Sequence, residues 1–278
     1  MMEVVNLTHL DEQISKQPHI MAIGFFDGVH LGHQELLNHA KELAKKQNVL
    51  FTVMTFSPHP NEVLKGDTNH KYLMTLPEKK KKMKAMGVDK LFIMEFDRTF
   101  ASLLPADFIQ KYILNSNTRH VVVGFDFTFG FKAQGNTQLL RMQSKKSGFG
   151  LSVIPKKTYM EEKISSTLIR GLVQEGDIDL VPYYLGSNYE VNVNILQYKI
   201  NRNVVVQPND KSIFPSHGSY IVKVNHGTKI SYGKFHRRPD SNDDNILEFM
   251  DPVHEYGDIC SIEFISKAEV TESLSVSN

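Results

Sequence analysis

The chain has 278 residues, of which 41% are hydrophobic and 23% charged, a composition that excludes a mostly disordered protein. Lys and Arg total 32 against 31 Asp and Glu, so a net charge of +1 gives no general attraction to nucleic acid or to an anionic membrane. Cys260 is the only cysteine, which excludes an intramolecular disulfide and a cysteine-rich metal site. The N-terminus shows neither a signal sequence nor a long apolar run, and these features together predict a cytoplasmic protein.

Short apolar runs alternate with helical patterns over the first two thirds of the chain, which is typical of parallel strands joined by crossover helices. Strands are predicted at 20–25, 49–56, 91–96, 120–125 and 151–155. Helices are predicted at 33–46, 77–87 and 105–114, and the last two begin with proline. Four consecutive lysines at 79–82 are interpreted as a solvated helix face.

After residue 186 the pattern changes to alternating β-branched runs separated by turn residues. This pattern indicates antiparallel strands that form a small β-barrel or a sandwich. The sequence therefore predicts an α/β fold with a Rossmann-like parallel-sheet domain at 1–186, a small antiparallel β-barrel at 187–266 and a polar tail at 267–278.

The strongest local motif is HLGH at 30–33, placed where the first predicted strand is followed by a helix. Ligands of open α/β sheets bind beyond the carboxyl ends of strands, and the free N–H groups of a helix start attract anions. His30 and His33 can both donate to one triphosphate, while Gly32 lets the phosphates approach the backbone. Asp27 is expected to fix the preceding loop through backbone N–H groups. The motif predicts a nucleotide phosphate site, although a short HxGH can also occur by chance or in a metal site.

A second polar segment, ISSTLIR at 164–170, places three hydroxyls and an arginine at the start of a helical stretch. Ser165, Ser166 and Thr167 can cap that helix, which is the purely structural interpretation. The functional interpretation adds that these hydroxyls, the helix N–H groups and Arg170 bind the leaving pyrophosphate. Two phosphate-binding segments in one chain indicate a transferase.

Four ordered segments resemble the prokaryotic bifunctional riboflavin kinase/FAD synthetases: AIGFFDGVHLGHQELL, TFSPHP, VVVGFDFTFGFKAQGNTQLL and ISSTLIRGLVQEGDIDLVPYYLGSNYEV. HxGH alone is shared with other adenylyl- and cytidylyltransferases, whereas GFDFTFG followed by ISST resembles only the flavin enzymes. The resemblance implies that the N-terminal module transfers AMP from ATP to FMN, giving FAD and pyrophosphate. Mg²⁺ is expected together with ATP, with few dedicated carboxylate ligands needed and no metal-ligating residue assigned. No obligate protein partner is inferred.

The resemblance further implies roles for individual residues. Those implied to be catalytic are His30, His33, Ser166 and Arg170. Those implied to bind ATP are Gly24, Phe25, Asp27, His30, Gly32, His33, Ser165, Ser166, Thr167 and Arg170. Those implied to bind FMN are Ser57, Pro58, His59, Asp126, Phe127 and Phe129, of which the two phenylalanines can equally be core residues.

The chain departs from the family pattern in two places. Leu168 stands where the family commonly has arginine, from which we expect weaker phosphate binding. In the barrel, no GFPTAN-like loop follows Tyr189, and Asn245 aligns with the catalytic glutamate of the kinase, with Glu248 as a rival for that position. Because an amide does not accept a proton as a carboxylate does, the sequence predicts an FAD synthetase without riboflavin kinase activity.

Three other functions stay open from the sequence. The first is a bifunctional enzyme that retains the kinase step. The second is an adenylyl- or cytidylyltransferase that acts on a phosphate other than FMN. The third is a catalytically weak protein that senses flavin.

Overall fold

The computed structural model describes residues 1–11, 14–199, 203–208, 211–227, 229–238, 245–250 and 259–268. These residues form two compact units, the first from residues 1–70 and 74–164 and the second from residues 71–73 and the chain after 164. The domain bounds at 186 and 266 remain predictions. No helix in the described ranges is long and apolar enough to cross a membrane.

The first unit combines a parallel sheet with helices on its two faces. Its strands are β1 (Glu3–Leu7), β2 (His19–Ile23), β3 (Leu50–Ser57), β4 (Lys90–Glu95), β5 (Thr118–Gly124), β6 (Thr128–Phe129), β7 (Gly135–Asn136), β8 (Gly150–Ile154), β9 (Thr158–Tyr159) and β10 (Glu162–Lys163). Its α-helices are α1 (Leu31–Gln47), α2 (Pro60–Lys65), α3 (Leu76–Ala85), α4 (Arg98–Ala101), α5 (Pro105–Ile109) and α6 (Thr137–Ser147), and a π-helical segment, Gln110–Leu114, follows α5.

The main sheet of the described residues has the strand order β1-β4-β3-β2-β5-β8, and every neighbouring pair is parallel. This order confirms the predicted Rossmann-like fold and all five predicted strands. The sequence analysis missed β1 because only Leu7 of this edge strand is buried, so the segment lacks an apolar run.

The strand order reverses between β2 and β5, which are neighbours in the sheet. The chain continues from β2 to β3 on one side and from β5 to β8 on the other. Connections that leave in opposite directions open a crevice beyond the carboxyl ends of the two strands, the usual ligand site of an open α/β sheet.

The central strand β2 is buried along its whole length, which explains its uninterrupted apolar sequence. On one face, Ile20 and Ala22 pack with Leu37 of α1. On the other face, Met21 packs with aromatic residues such as Tyr112. This packing on both faces fixes the end of β2 and the start of α1, and therefore the loop that joins them.

The second unit consists of two helices and a barrel. Its helices are α7 (Ser166–Glu175) and α8 (Val181–Leu185), with a short 3₁₀ turn, Ile178–Leu180, between them. Its strands are β11 (Tyr189–Tyr198), β12 (Asn203–Pro208), β13 (Gly218–His226), β14 (Lys229–Arg237), β15 (Asn245–Phe249) and β16 (Ile259–Lys267).

These strands close into an antiparallel barrel in the order β11-β12-β15-β14-β13-β16. Tyr220, Phe235 and Phe264 fill its interior, and each is fully buried. The predicted barrel is thus confirmed and the alternative sandwich is wrong. Of the predicted polar tail, residues 269–278 lie outside the described residues.

Candidate active site

The loop between β2 and α1 adopts a tightly constrained conformation. Phe26 and Val29 have positive φ angles of 56° and 47°, and Gly28 has one of 76°. Such angles are unfavourable for residues with a Cβ atom and persist only where the surrounding structure fixes them. Phe26 and Val29 are buried in the core, and the buried Asp27 carboxylate accepts the Met74 N–H at 3.2 Å. The core therefore fixes this loop in place.

Two glycines allow the loop to pack closely. A Cβ atom at Gly24 would lie 2.9 Å from the Phe26 ring, and one at Gly32 would lie 3.3 Å from the His30 ring. Larger residues at either position would displace an aromatic or imidazole ring of the loop.

The two histidines of the HLGH motif stack on each other, with ring centroids 3.6 Å apart and an interplanar angle of 13°. The His33 N–H donates to His30 Nδ1 at 3.2 Å, so the His30 side chain caps α1. Because Nδ1 is the acceptor, a neutral His30 carries its proton on Nε2. That N–H is available to a ligand.

Burial keeps both imidazoles neutral. It lowers the pKa of His30 to about 4, and it lowers the pKa of His33 well below the usual value, with nearby His30 and Lys79 adding to that decrease. His33 Nδ1 is buried without a hydrogen-bond partner among the described residues. The motif therefore presents neutral donors and an unsatisfied polar atom at a helix start, an arrangement suited to phosphate oxygens.

A cavity of about 830 Å³ lies at the crevice where the strand order reverses. Gly24 and Phe25 line it at the end of β2, and Gly124 and Asp126 line it at the end of β5. Its aromatic lining comprises Phe25, Phe26, Phe56, Phe96, Phe100, Phe108, Phe127, Phe129 and Phe131. The volume is within the range of small-molecule sites, and the phenyl rings suit a flat, apolar ring system.

The residues proposed for FMN divide into two groups. Asp126, Phe127 and Phe129 line the cavity, and Phe129 is also buried against Phe108, so it serves both core and cavity. Ser57, Pro58 and His59 are not among the cavity-lining residues, although the next residue, Pro60, is.

His59 has an identifiable structural task in this loop. Its Nδ1 accepts the Asn61 N–H at 3.1 Å as the cap of α2, and its ring packs edge-on against Phe25 at 4.5 Å. The segment at 57–59 therefore adjoins the HLGH loop through Phe25, while its predicted contact with flavin remains a prediction.

The structure adds two lysines that the sequence analysis did not identify as site residues. Lys163 donates to the Asp126 carboxylate at 2.7 Å and lies 4.6 Å from the Phe125 ring centroid. Lys79 is only 2% exposed, so the interpretation of residues 79–82 as a solvated face is wrong for its first member. A signal was present, because Lys79 continues the helical stripe formed by Leu76 and Met83.

Ser165, Ser166 and Thr167 of the ISST segment belong to the second unit. Ser165 caps α7 by accepting the Leu168 N–H at 3.2 Å, which confirms the structural interpretation for this residue. Ser166 and Thr167 occupy the first turn of α7, and Arg170 donates to the Lys71 carbonyl within the same unit. The predicted phosphate contacts of these residues remain predictions.

The barrel has a second, shallower cavity of about 550 Å³ on its outer face. Ser219 and His236 Nδ1 are 2.8 Å apart there, and His236 Nε2 lies 3.3 Å from the Glu248 carboxylate. Glu248 lines this cavity, whereas Asn245 is not among its described lining residues.

A Rossmann-like sheet with an HxGH loop at its crevice, whose two histidines are neutral, is the arrangement of a nucleotidyltransferase. A family model for FAD synthetase matches residues 12–168, which is more than half of the chain. The chain therefore belongs to the FAD synthetase family, enzymes that act as FMN adenylyltransferases. This family uses ATP, which is consistent with a divalent metal ion.

Individual relatives agree with this assignment. A bifunctional riboflavin kinase/FMN adenylyltransferase from Bacillus subtilis is 32% identical over 96% of this chain and 90% of its own length. A Listeria monocytogenes protein described as an FAD synthetase is 32% identical over 84% of this chain and 94% of its own length. A crystal structure of a Streptococcus pneumoniae protein described as a macrolide-efflux protein has a TM-score of 0.88 at 22% identity, covering 98% of this chain and 93% of that chain. The last similarity concerns the fold alone.

Proposed function

We propose that this protein transfers AMP from ATP to FMN and does not phosphorylate riboflavin. The observation that carries the proposal is the stacked, neutral His30 and His33 pair at the crevice, next to an aromatic cavity of about 830 Å³. The histidines suit a triphosphate, and the phenyl-lined cavity suits an isoalloxazine ring.

The reaction needs little proton transfer. An oxygen of the FMN phosphate, already ionised at neutral pH, attacks the α-phosphorus of ATP, and the bond from that phosphorus to the bridging oxygen breaks to release pyrophosphate. Negative charge accumulates on phosphate oxygens, where donated N–H groups stabilise it. His30 Nε2–H is one such donor, because Nδ1 is already occupied by the helix cap.

The neutrality of the imidazoles is part of the proposal. A neutral histidine whose pKa is far below 7 donates a hydrogen bond without binding a further proton, so its donor is present over the whole physiological pH range. A Mg²⁺ ion bound with ATP would neutralise part of the phosphate charge. The His30 Nε2–H group of the HLGH loop would donate to the phosphates. The phosphates would in turn hold the ion. Ser166 and Arg170 are proposed to contribute to ATP binding, with Leu168 weakening it.

The test uses purified protein with FMN, ATP and Mg²⁺, followed by chromatography of the flavins. We expect FAD and an equal amount of pyrophosphate. His33→Ala serves as the inactive control. Absence of FAD from the folded wild-type protein would contradict the proposal and favour a flavin sensor, and transfer to a different phosphate acceptor would favour another nucleotidyltransferase.

A bifunctional enzyme is the second candidate, because Glu248 lines the barrel cavity with its carboxylate next to His236. The Bacillus subtilis relative is described as having both activities. Incubation with riboflavin and ATP distinguishes the two functions. FMN formation that is lost in Glu248→Gln would establish the kinase step, and its absence supports a single activity.

A further inference from the structure

We propose that Lys79 is a positioning residue of the nucleotide loop: its buried ammonium group holds the Phe25 carbonyl and supplies a fixed positive charge next to the HLGH motif. The inference rests on the proposed function, because it assigns Lys79 a task in binding ATP. It concerns a residue whose sequence context, a run of four lysines, indicates a solvated helix face.

The first support is the geometry around the amine. Lys79 Nζ donates to the Phe25 carbonyl at 2.6 Å and lies 3.4 Å from Thr55 Oγ1. Thr55 Oγ1 donates to the same carbonyl at 2.9 Å. Lys79 Nζ also lies 4.2 Å from the centroid of the Phe25 ring. Phe25 is thus held at both its carbonyl and its ring, at the position where β2 passes into the phosphate loop.

The second support is the charge around the amine. Asp27 in the loop favours the protonated amine, whereas burial opposes it and lowers the pKa of Lys79 to about 8. Lys79 in turn lowers the pKa of His33 on α1. On its own helix, the Glu78 carboxylate accepts the Thr75 N–H and hydroxyl at the helix start. At pH 7 the amine is therefore mostly charged, and its field extends to a histidine of the motif.

The third support is that stability alone does not explain a lysine here. Moving an ammonium group from water into a protein interior costs several kcal/mol, and replacing buried charges by apolar residues of similar size is often neutral or stabilising. Lys79 lies in an apolar helical stripe between Leu76 and Met83, where a methionine would fit the same space. The nearby buried Asp27 carboxylate offsets part of this cost, and we attribute the remainder to a negatively charged ligand, the triphosphate of ATP.

The test compares Lys79→Met with Lys81→Met, an exposed lysine of the same run that serves as the matched control. For each variant, KM for ATP, KM for FMN, kcat and the unfolding temperature are measured. We expect Lys79→Met to raise KM for ATP by about tenfold or more and KM for FMN, whose proposed cavity Phe25 also lines, by a clearly smaller factor, with an unfolding temperature equal to or above that of the wild type. Lys81→Met should match the wild type throughout.

The outcomes separate this inference from the proposed function. Absence of FAD synthesis in both wild type and Lys81→Met defeats the proposed function itself. Normal FAD synthesis together with a wild-type KM for ATP in Lys79→Met overturns only the role of Lys79. A fall in unfolding temperature with both KM values raised equally would show that Lys79 is merely structural, and this result would also overturn its proposed role.

If Lys79→Met does not fold, Lys79→Gln replaces it, because an amide can donate to the Phe25 carbonyl but carries no charge. A raised KM for ATP in Lys79→Gln supports the proposal, and an unchanged KM for ATP refutes it.

Discussion

The nucleotide loop of the first unit and the polar cluster on the barrel use similar residue types in opposite environments. His30, Asp27 and Lys79 are each less than 10% exposed, whereas the side chains of His236 and Glu248 are 30% and 50% exposed. Burying titratable groups is costly, so a protein retains them where a ligand or the loop conformation requires them. An exposed polar cluster costs little and therefore says less about function. The difference teaches that burial, more than the presence of histidine and carboxylate, marks the site.

The largest expected effect concerns the buried nucleotide loop. His33→Ala removes a neutral donor and the stacking partner of His30, and we expect kcat/KM for FAD synthesis to fall by about 10²–10³-fold. Circular dichroism should show a folded protein, because the cap of α1 uses the His30 side chain and the backbone N–H of residue 33, which the substitution retains. FAD synthesis within a few-fold of the wild type would contradict the assignment of the HLGH motif as the phosphate site.

The pH dependence of stability tests whether burial keeps the imidazole neutral. The pKa of His30 is lowered by burial to about 4, so the unfolded chain binds a proton there more readily than the folded chain. The stability that neutral His30 contributes is fully present above pH 6.5 and is lost as the pH falls from 6.5 to 4. We expect urea unfolding to show a fall of up to a few kcal/mol over that window. A His30→Asn variant, which retains a capping residue, should show a smaller slope. An unchanged slope would mean that His30 does not titrate in this way.

The aromatic cavity is tested by Phe127→Ala. Phe127 lines the cavity and stacks with Phe129 at 5.6 Å, and its loss removes apolar contact area for a bound ring system. We expect KM for FMN to rise about tenfold while KM for ATP changes less than twofold. An equal rise in both constants would indicate a general distortion of the loop instead of a flavin contact.

The smallest expected effect concerns the exposed polar cluster on the barrel. His236→Asn breaks the contacts with Ser219 and Glu248 on the barrel surface. Because exposed pairs of this kind contribute about 0–1 kcal/mol, the free energy of unfolding should change by less than about 1 kcal/mol. FAD synthesis should stay within twofold of the wild type. A loss of FAD synthesis would show that the barrel cluster takes part in adenylyl transfer.

Much of the fold could be predicted from the sequence because its signals are local. The apolar run of β2 and the proline-first helices carry their structure in a few consecutive residues. The edge strand β1 has no such signal, since most of its side chains face solvent. Position along a helix matters as well: the charge of the lysine run predicts a solvated face, whereas the place of Lys79 in the stripe from Leu76 to Met83 puts it in the core.

The candidate site could be predicted only in part, for a physical reason. The HLGH motif lies within four consecutive residues, so the sequence locates it directly. The cavity, by contrast, is formed by side chains from β2, α2, α4, β5 and the segment after it, whose meeting depends on sheet order. Sequence spacing does not reveal that Phe96 and Phe131 line one cavity, and only the resemblance pointed to Phe127 and Phe129.

The cap formed by His30 has a consequence for how a ligand would be sensed. One nitrogen of the imidazole accepts the first hydrogen bond of α1, and the other is available to a phosphate. The ring therefore couples the ligand to the helix backbone without a hinge. A phosphate that accepts from Nε2 makes Nδ1 a better acceptor, because successive hydrogen bonds polarise one another. The nucleotide would thus tighten the first turn of α1 from the outside.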